Sequence, residues 1–167
     1  MSEGLVDELI AKVLRLDSGG KARLRRGAGE TELLLIPVLG GLLGNIENDE
    51  TRGRYLLTAR IAAILDAKDG DHPGTVLARA EFHERRMSRL LASDHEVLPE
   101  RLLVAARFLA AKRERCRIEP FYWLLNEAAQ AETTSERSRW ARRYGQERNV
   151  SEQRKRSREL AVTGDIA

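Results

Sequence analysis

The sequence predicts an all-α protein, a two-lobed bundle of about seven to nine helices. Three observations predict it. Apolar residues recur at helical spacing through most of the 167 residues, residues that start and stop helices punctuate those stretches, and no segment alternates apolar with polar long enough for a strand. At this length a chain buries enough surface to fold without covalent staples. Apolar residues make up 42% and charged residues 33%, the balance of a globular chain with an ionic surface. We expect one lobe over 1–92, a second over 97–145, and a polar tail over 146–167 that is in part helical.

Taken in order, Leu5, Val6, Leu9, Ile10, Val13, Leu14 and Leu16 follow Ser2, a helix-capping residue, and Gly19-Gly20 closes that helix. Lys21-Ala22-Arg23-Leu24-Arg25-Arg26 comes next, set off by glycines as a discrete element. Glu32 to Leu43 is apolar but contains Pro37, which has no N–H to give a helix ladder, so two short helical pieces should meet near Ile36. Asn48 caps a helix with Asp49 and Glu50 against the positive end of its dipole and Tyr55, Leu56, Ala59, Ala62, Ala63 and Leu65 on its apolar side.

Lys68 to Gly74 reads as a loop, Thr75 to Arg79 as a short helical turn, and Glu81 to Ala92 as a helix burying Phe82, Met87, Leu90 and Leu91. Leu98 to Arg115, opened by Pro99, is apolar almost all round and is expected to be the most buried element. Its C-terminal end carries Lys112, Arg113, Arg115 and Arg117 to the surface, where they also suit the negative dipole end. Pro120 begins a helix with Phe121, Tyr122 and Trp123, expected to be core. Thr134 or Ser135 caps Glu136 to Tyr144, and Gly145 ends it; Trp140, Ala141 and Tyr144 dock while Arg139, Arg142 and Arg143 face out. In the tail, Ser151 to Leu160 carries the helical pattern.

The net charge is only +3, so function rests on how charge is distributed. Acids gather at Glu47, Asp49 and Glu50, at Asp66, Asp69 and Asp71, and at Asp94 and Glu96; cations gather over 21–26, 112–117, 137–143 and 154–158. Folding that put these groups on opposite sides would present one basic face. The densest run, 21–26, has no acid between Ser18 and Gly29, and like charges so close repel unless water or a polyanion compensates them. Alone, such a run is more often a solvated basic turn. The other clusters turn the reading towards a nucleic-acid backbone.

Catalytic templates fail at named positions. Gly20-Lys21 has Arg15 where a phosphate loop needs glycine and Ala22 where it needs a hydroxyl. His83-Glu84 has Met87 where a zinc-protease helix needs its second histidine. Asp69-Gly70-Asp71 leads to Ala80 and Phe82 where a calcium loop needs oxygen ligands. His72, His83 and His95 lack metal-ligand spacing, so no metal, no cofactor and no enzymatic activity is expected. Cys116, the single cysteine, cannot form an internal disulfide and reads as a small buried thiol, although the cations around it would lower its pKa. No apolar run approaches membrane-spanning length and the N-terminus has no signal-peptide pattern, so a cytoplasmic protein without a membrane partner is expected.

Several segments in order resemble one family, the small subunit (CasB family) of the type I-E CRISPR Cascade surveillance complex. Lys21 to Arg26 looks like the family's Leu-Arg-Arg element after the first helix. Glu84-Arg85-Arg86-Met87-Ser88-Arg89-Leu90-Leu91 is similar to its arginine-rich segment, and Ile118 to Glu127 followed by Arg139-Trp140-Ala141-Arg142-Arg143-Tyr144 to its closing pair of helices. The resemblance spans about residues 5–145 and leaves the tail without a counterpart.

It implies an all-helical, non-catalytic protein present in two copies among other Cascade subunits. There it would hold the guide RNA paired with target DNA, and the displaced strand, in an R-loop formed in antiviral defence. Such a subunit needs phosphate contacts and no base readout, because guide pairing supplies sequence information. Arginine suits that work, since its planar fork chelates phosphate oxygens. The expected RNA- and DNA-binding residues are Lys21, Arg23, Arg25 and Arg26, then Arg107, Lys112, Arg113, Arg139, Arg142 and Arg143. The alternative is a helical scaffold whose basic face pairs with acidic protein surfaces. A helix-turn-helix regulator fits less well, because no short helix pair shows a recognition face of Asn, Gln and Arg beside a glycine turn.

Overall fold

The computed structural model describes residues 2–130 and 135–164. Ten helices account for the regular structure of these residues: α1 (Ser2–Leu14), α2 (Ser18–Arg26), α3 (Glu30–Leu34), α4 (Pro37–Leu43), α5 (Asp49–Leu65), α6 (Pro73–Arg79), α7 (Glu84–Leu91), α8 (Leu98–Ala111), α9 (Glu119–Gln130) and α10 (Ser135–Gly164). An isolated bridge between Asp71 and Cys116 is the one extended pairing among the described residues. The fold class is therefore all-α, as the periodicity predicts.

Local rules explain most boundaries. Asn48 accepts a hydrogen bond from Thr51 N at 2.8 Å and opens α5, and the chain breaks between α3 and α4 at Ile36, the residue before Pro37. Gly19-Gly20 does not close the first helix. Instead α1 ends at Leu14 and Asp17 accepts from Gly20 N at 2.7 Å, so both glycines lie in the first turn of α2 and the basic run is itself a capped helix. Gly27 ends α2 at φ 71°, a left-handed position that favours glycine.

The hub of the core is α5 and not, as expected, the 98–115 segment. α5 lies against α1, α2, α3, α8 and α9, and its small Ala59, Ala62 and Ala63 let neighbours approach closely. α8 buries Leu98, Leu102, Leu103, Ala105, Ala106 and Leu109 but exposes Val104 by 46%, and it stops at Ala111 because Arg113 turns to φ 57°. One apolar cluster draws side chains from all ten helices, from Val6 of α1 through Leu24 of α2 to Trp140 and Tyr144 of α10.

α10 is clamped at its start and continues past its predicted end. Glu127, buried on α9, accepts from the backbone N–H groups of Glu136 and Arg137, so the helix start is capped from a neighbouring helix. Ser135 is the first helical residue, and Thr134 lies outside the described residues. Trp140 stands edge-on between Phe121 and His72, with ring centroids 5.1 and 5.5 Å away, and the Tyr144 hydroxyl donates to Phe82 O at 2.5 Å. Ala141 is exposed beside them. α6 packs closest here: a Cβ at Gly74 would stand 2.7 Å from Trp140 O. Gly145 does not end the helix. One glycine costs about 1 kcal/mol, less than the docked aromatics on the preceding turns contribute, and the polar segment beyond it is the rest of α10.

Candidate nucleic-acid interface

α2 presents its cations in two directions because Leu24 is fully buried and fixes the helix rotation. On one flank, Lys21 Nζ donates to Asp66 Oδ1 at 2.9 Å and Arg25 Nε donates to Ala63 O at 2.8 Å. Arg25 Nη2 is 3.8 Å from Asp66 Oδ2. Both cations therefore serve the C-terminal end of α5, where the free carbonyls and the negative dipole end favour positive charge. On the other flank Arg23 and Arg26 are exposed, with no ion pair among the described residues. The run read from sequence as one tract of cations is thus divided into an anchoring pair and an outward pair.

A cation that sequence reading passes over completes the outward group. Arg60 of α5 lays its guanidinium against Gly27, where a Cβ would stand 2.7 Å from Arg60 Cζ, so a side chain at position 27, already disfavoured by its φ, would have to push that guanidinium aside. Arg60 Nε is buried without a hydrogen-bond partner. Burial pulls the Arg60 pKa below the usual guanidinium value, and the positive charge of nearby Arg107 on α8 pulls it further. Arg107 is itself exposed. Two arginines near each other, one half-buried and unpaired at Nε, and Arg26 immediately before Gly27, make a junction of α2, α5 and α8 short of negative charge. The sequence signal for Arg60 was a lone arginine inside the alanine-rich, buried stretch of α5. Its partners at Gly27 and Arg107 are remote in sequence, so spacing could not reveal them.

The remaining predicted residues occupy other positions. Lys112 lies at the end of α8 with Nζ 5.8 Å from the Phe108 ring centroid and close enough to Glu81, in the turn after α6, to help hold that carboxyl below the usual carboxylate range. The larger cause there is Lys155 of α10, which donates to Glu81 at 3.0 Å. Arg113 is exposed beside Lys112. Arg139 is tied to buried Glu136 at 2.8 Å, while Arg142 and Arg143 are exposed without an ion pair among the described residues. These last three ride on a helix packed against α6 and α9, and α2 packs on α5. Both neighbourhoods border α8: Arg107 adds positive charge near Arg60, and Lys112, five residues on and turned by about 140° around the helix, adds positive charge near Glu81.

Other polar clusters are structural. Arg52 donates to Glu30 and Asp49 at 2.5 Å each, tying α3 to α5, and those hydrogen bonds raise its pKa. His72 accepts from Gly74 N through Nδ1 and sets Nε2 3.5 Å from Glu136 Oε1. Cys116 is fully buried and its thiol is pushed up to about 12 by burial, then by Glu119 and Glu114, the opposite of what its basic sequence neighbours suggest. Among the described residues no His, Cys, Asp and Glu gather in a metal-holding group, and no helix is long and apolar enough to cross a membrane.

No protein-family model matches the chain and no curated protein matches it. Among solved structures, the crystal structure of M. ruber CasB superposes with a TM-score of 0.65 at 21% identity, over 90% of this chain and 95% of that one. The chain has the CasB fold. That is the fold to which the order of motifs at 21–26, 84–91 and 118–144 points, and the breadth of the superposition means that CasB architecture takes in nearly all the helices described above. At this identity the likeness is one of backbone. The side chains that give the CasB fold a use in this chain have to be read from its own surface.

Proposed function

We propose that this chain is a non-catalytic small subunit of a Cascade-type CRISPR surveillance complex. In this reading it holds the sugar-phosphate backbones of guide RNA paired with target DNA, and of the displaced strand. The observation that carries the reading is the junction of α2, α5 and α8. Arg23 and Arg26 have no ion pair among the described residues, and Arg60, its Nε buried without a partner, has a second positive charge nearby at Arg107. Cations placed together without carboxylates gain most from an outside polyanion, and phosphates are the commonest contacts between proteins and nucleic acids. The CasB fold supports the same assignment. Lys112, Arg113, Arg142 and Arg143 would extend the contacts along α8 and α10, with Arg139 beside them, while Lys21 and Arg25 position α2 and add long-range attraction.

Fluorescently labelled single strands of two unrelated sequences test the reading. The chain should bind both with the same affinity, and charge reversal at Arg23→Glu and Arg26→Glu should weaken both equally while the helical circular dichroism stays unchanged. Undiminished binding by that double variant would overturn the phosphate role of α2.

A specific feature favours a second reading, the helical scaffold. Leu35 at the end of α3 is 73% exposed, one turn from exposed Glu32. A hollow of about 170 Å³ between α7 and α8 is lined by apolar Phe82, Leu90 and half-exposed Val104 and by Arg86, Arg89 and Arg101. An apolar knob with an acid beside it matches an apolar hollow rimmed by arginines, so a second copy of the chain could dock head to tail. Leu35→Asp should then abolish self-association measured by sedimentation, whereas an unchanged sedimentation profile would remove this reading.

A further inference from the structure

The far half of α10 carries charge that the junction of α2, α5 and α8 does not use. Every residue from Glu152 to Thr163 is exposed. The first turns of this stretch run beside the end of α6 and enclose an open groove of about 370 Å³ lined by Arg79, Glu81, Arg148, Arg154, Lys155 and Arg158 among others. Its cations fall into two sets. Arg79 is held by Asp71 at 2.8 Å with Glu147 at 3.7 Å, Lys155 is held by Glu81 at 3.0 Å, and Arg148 has Glu152 at 3.8 Å. Arg154 and Arg158 have no ion pair among the described residues, yet they sit one turn apart, a spacing at which like charges destabilise a helix.

The groove's acids are thus engaged by other cations, and two arginines of one helix face remain uncompensated. The end of α8 contributes positive charge nearby. Lys112 adds to the positive charge around Glu81, the same carboxylate that holds Lys155.

We infer that the α6–α10 groove is a second phosphate-holding segment. Arg154 and Arg158 contact the sugar-phosphate backbone of a single strand. This rests on the nucleic-acid reading above. It adds to that reading a site on the tail, the part of the chain for which the family motifs have no counterpart. DNA and RNA offer the groove the same phosphate chemistry, and the two arms of the test separate them.

The test uses the full chain and labelled single-stranded DNA and RNA, with affinity measured by fluorescence anisotropy over a salt series. Both substituted side chains are exposed, so Arg154→Gln/Arg158→Gln should keep the wild-type helical signal and melting temperature. Loss of two phosphate contacts should flatten the slope of log affinity against log salt by about 1.4, at about 0.7 for each contact on a single strand. Flattening with DNA alone, or with RNA alone, supports the groove and names its strand. An unchanged slope on both, while Arg60→Gln/Arg107→Gln does flatten it, overturns the groove and leaves the junction standing. Absence of salt-dependent binding by the wild-type chain overturns both.

Discussion

Two helical segments of this molecule carry arginine runs of similar density, and the fold treats them differently. In α2 a single leucine, Leu24, is fully buried and anchors the run, so Lys21 and Arg25 are turned onto Asp66 and Ala63 while Arg23 and Arg26 are turned outward. In the far half of α10 every residue from Glu152 to Thr163 is exposed, Leu160 and Val162 by 72% and 67%, and among the described residues the one tether is Lys155 on Glu81. The difference shows that the fate of a charge run depends less on its charge than on whether an apolar residue falls within it at a position a neighbouring helix can cover. The outward arginines of α2 start from a helix whose rotation is already fixed, so less freedom is lost on meeting a phosphate. Those of the arm must be ordered by the ligand or by its groove.

The contrast can be broken most forcefully inside α10 itself. Trp140→Ala removes the side chain that seats the docked half against Phe121 and His72, and should cost about 3–5 kcal/mol in urea unfolding. Leu24→Ala should cost roughly 2–5 kcal/mol by the same mechanism. Leu160→Ala should stay within about 0.5 kcal/mol, since it removes no buried contact. Comparable losses at Leu24 and Leu160 would erase the distinction between anchored and free runs.

Asp66→Asn sharpens the comparison at lower energy. Asp66 is half exposed, so the lost ion pairs should cost only about 0–1 kcal/mol. The same change frees Lys21 and partly frees Arg25, and single-stranded DNA should bind more tightly. Weaker binding would mean that the anchoring pair orients α2 more than it withholds charge from a ligand.

The smallest effect concerns Cys116, bridged through its backbone to Asp71, which holds Arg79 of the helix on which α10 docks. An acid whose folded pKa is raised contributes its full stability below the unfolded thiol value of about 8.5 and loses it as pH climbs towards 12. Alkylation of Cys116 at pH 8 should therefore be slow in the wild type and in Leu160→Ala, and faster in Trp140→Ala. Rapid alkylation of the wild type would contradict the burial.

Local chemistry made much of this fold legible from sequence. The Asn48 cap, the break before Pro37 and the Pro99 start are decided by backbone geometry within a turn or two, and each stands where the residues place it. Gly145 and Gly19-Gly20 misled because a glycine's helix penalty is about 1 kcal/mol, small beside the docking of Trp140 and Tyr144 or the Asp17 cap. The primacy of α5 over α8 was hidden because it depends on how many neighbours a helix collects, which small residues allow but do not announce. For the candidate interface, the arginine runs were visible as charge. The division of α2 into anchoring and outward cations needed Asp66, and the role of Arg60 needed Gly27 and Arg107, partners that only the folded chain brings near.

The central claim, that cations from α2, α5 and α8 converge on one phosphate-holding junction, is tested most directly at the arginine pair that spacing could not find. The affinity of Arg60→Gln/Arg107→Gln for single-stranded DNA should be followed over a salt series against the wild type. The account predicts a slope shallower by about 1.4, with weaker binding to every sequence alike and an intact helical spectrum. A double variant that matches the wild type in both slope and affinity would contradict it.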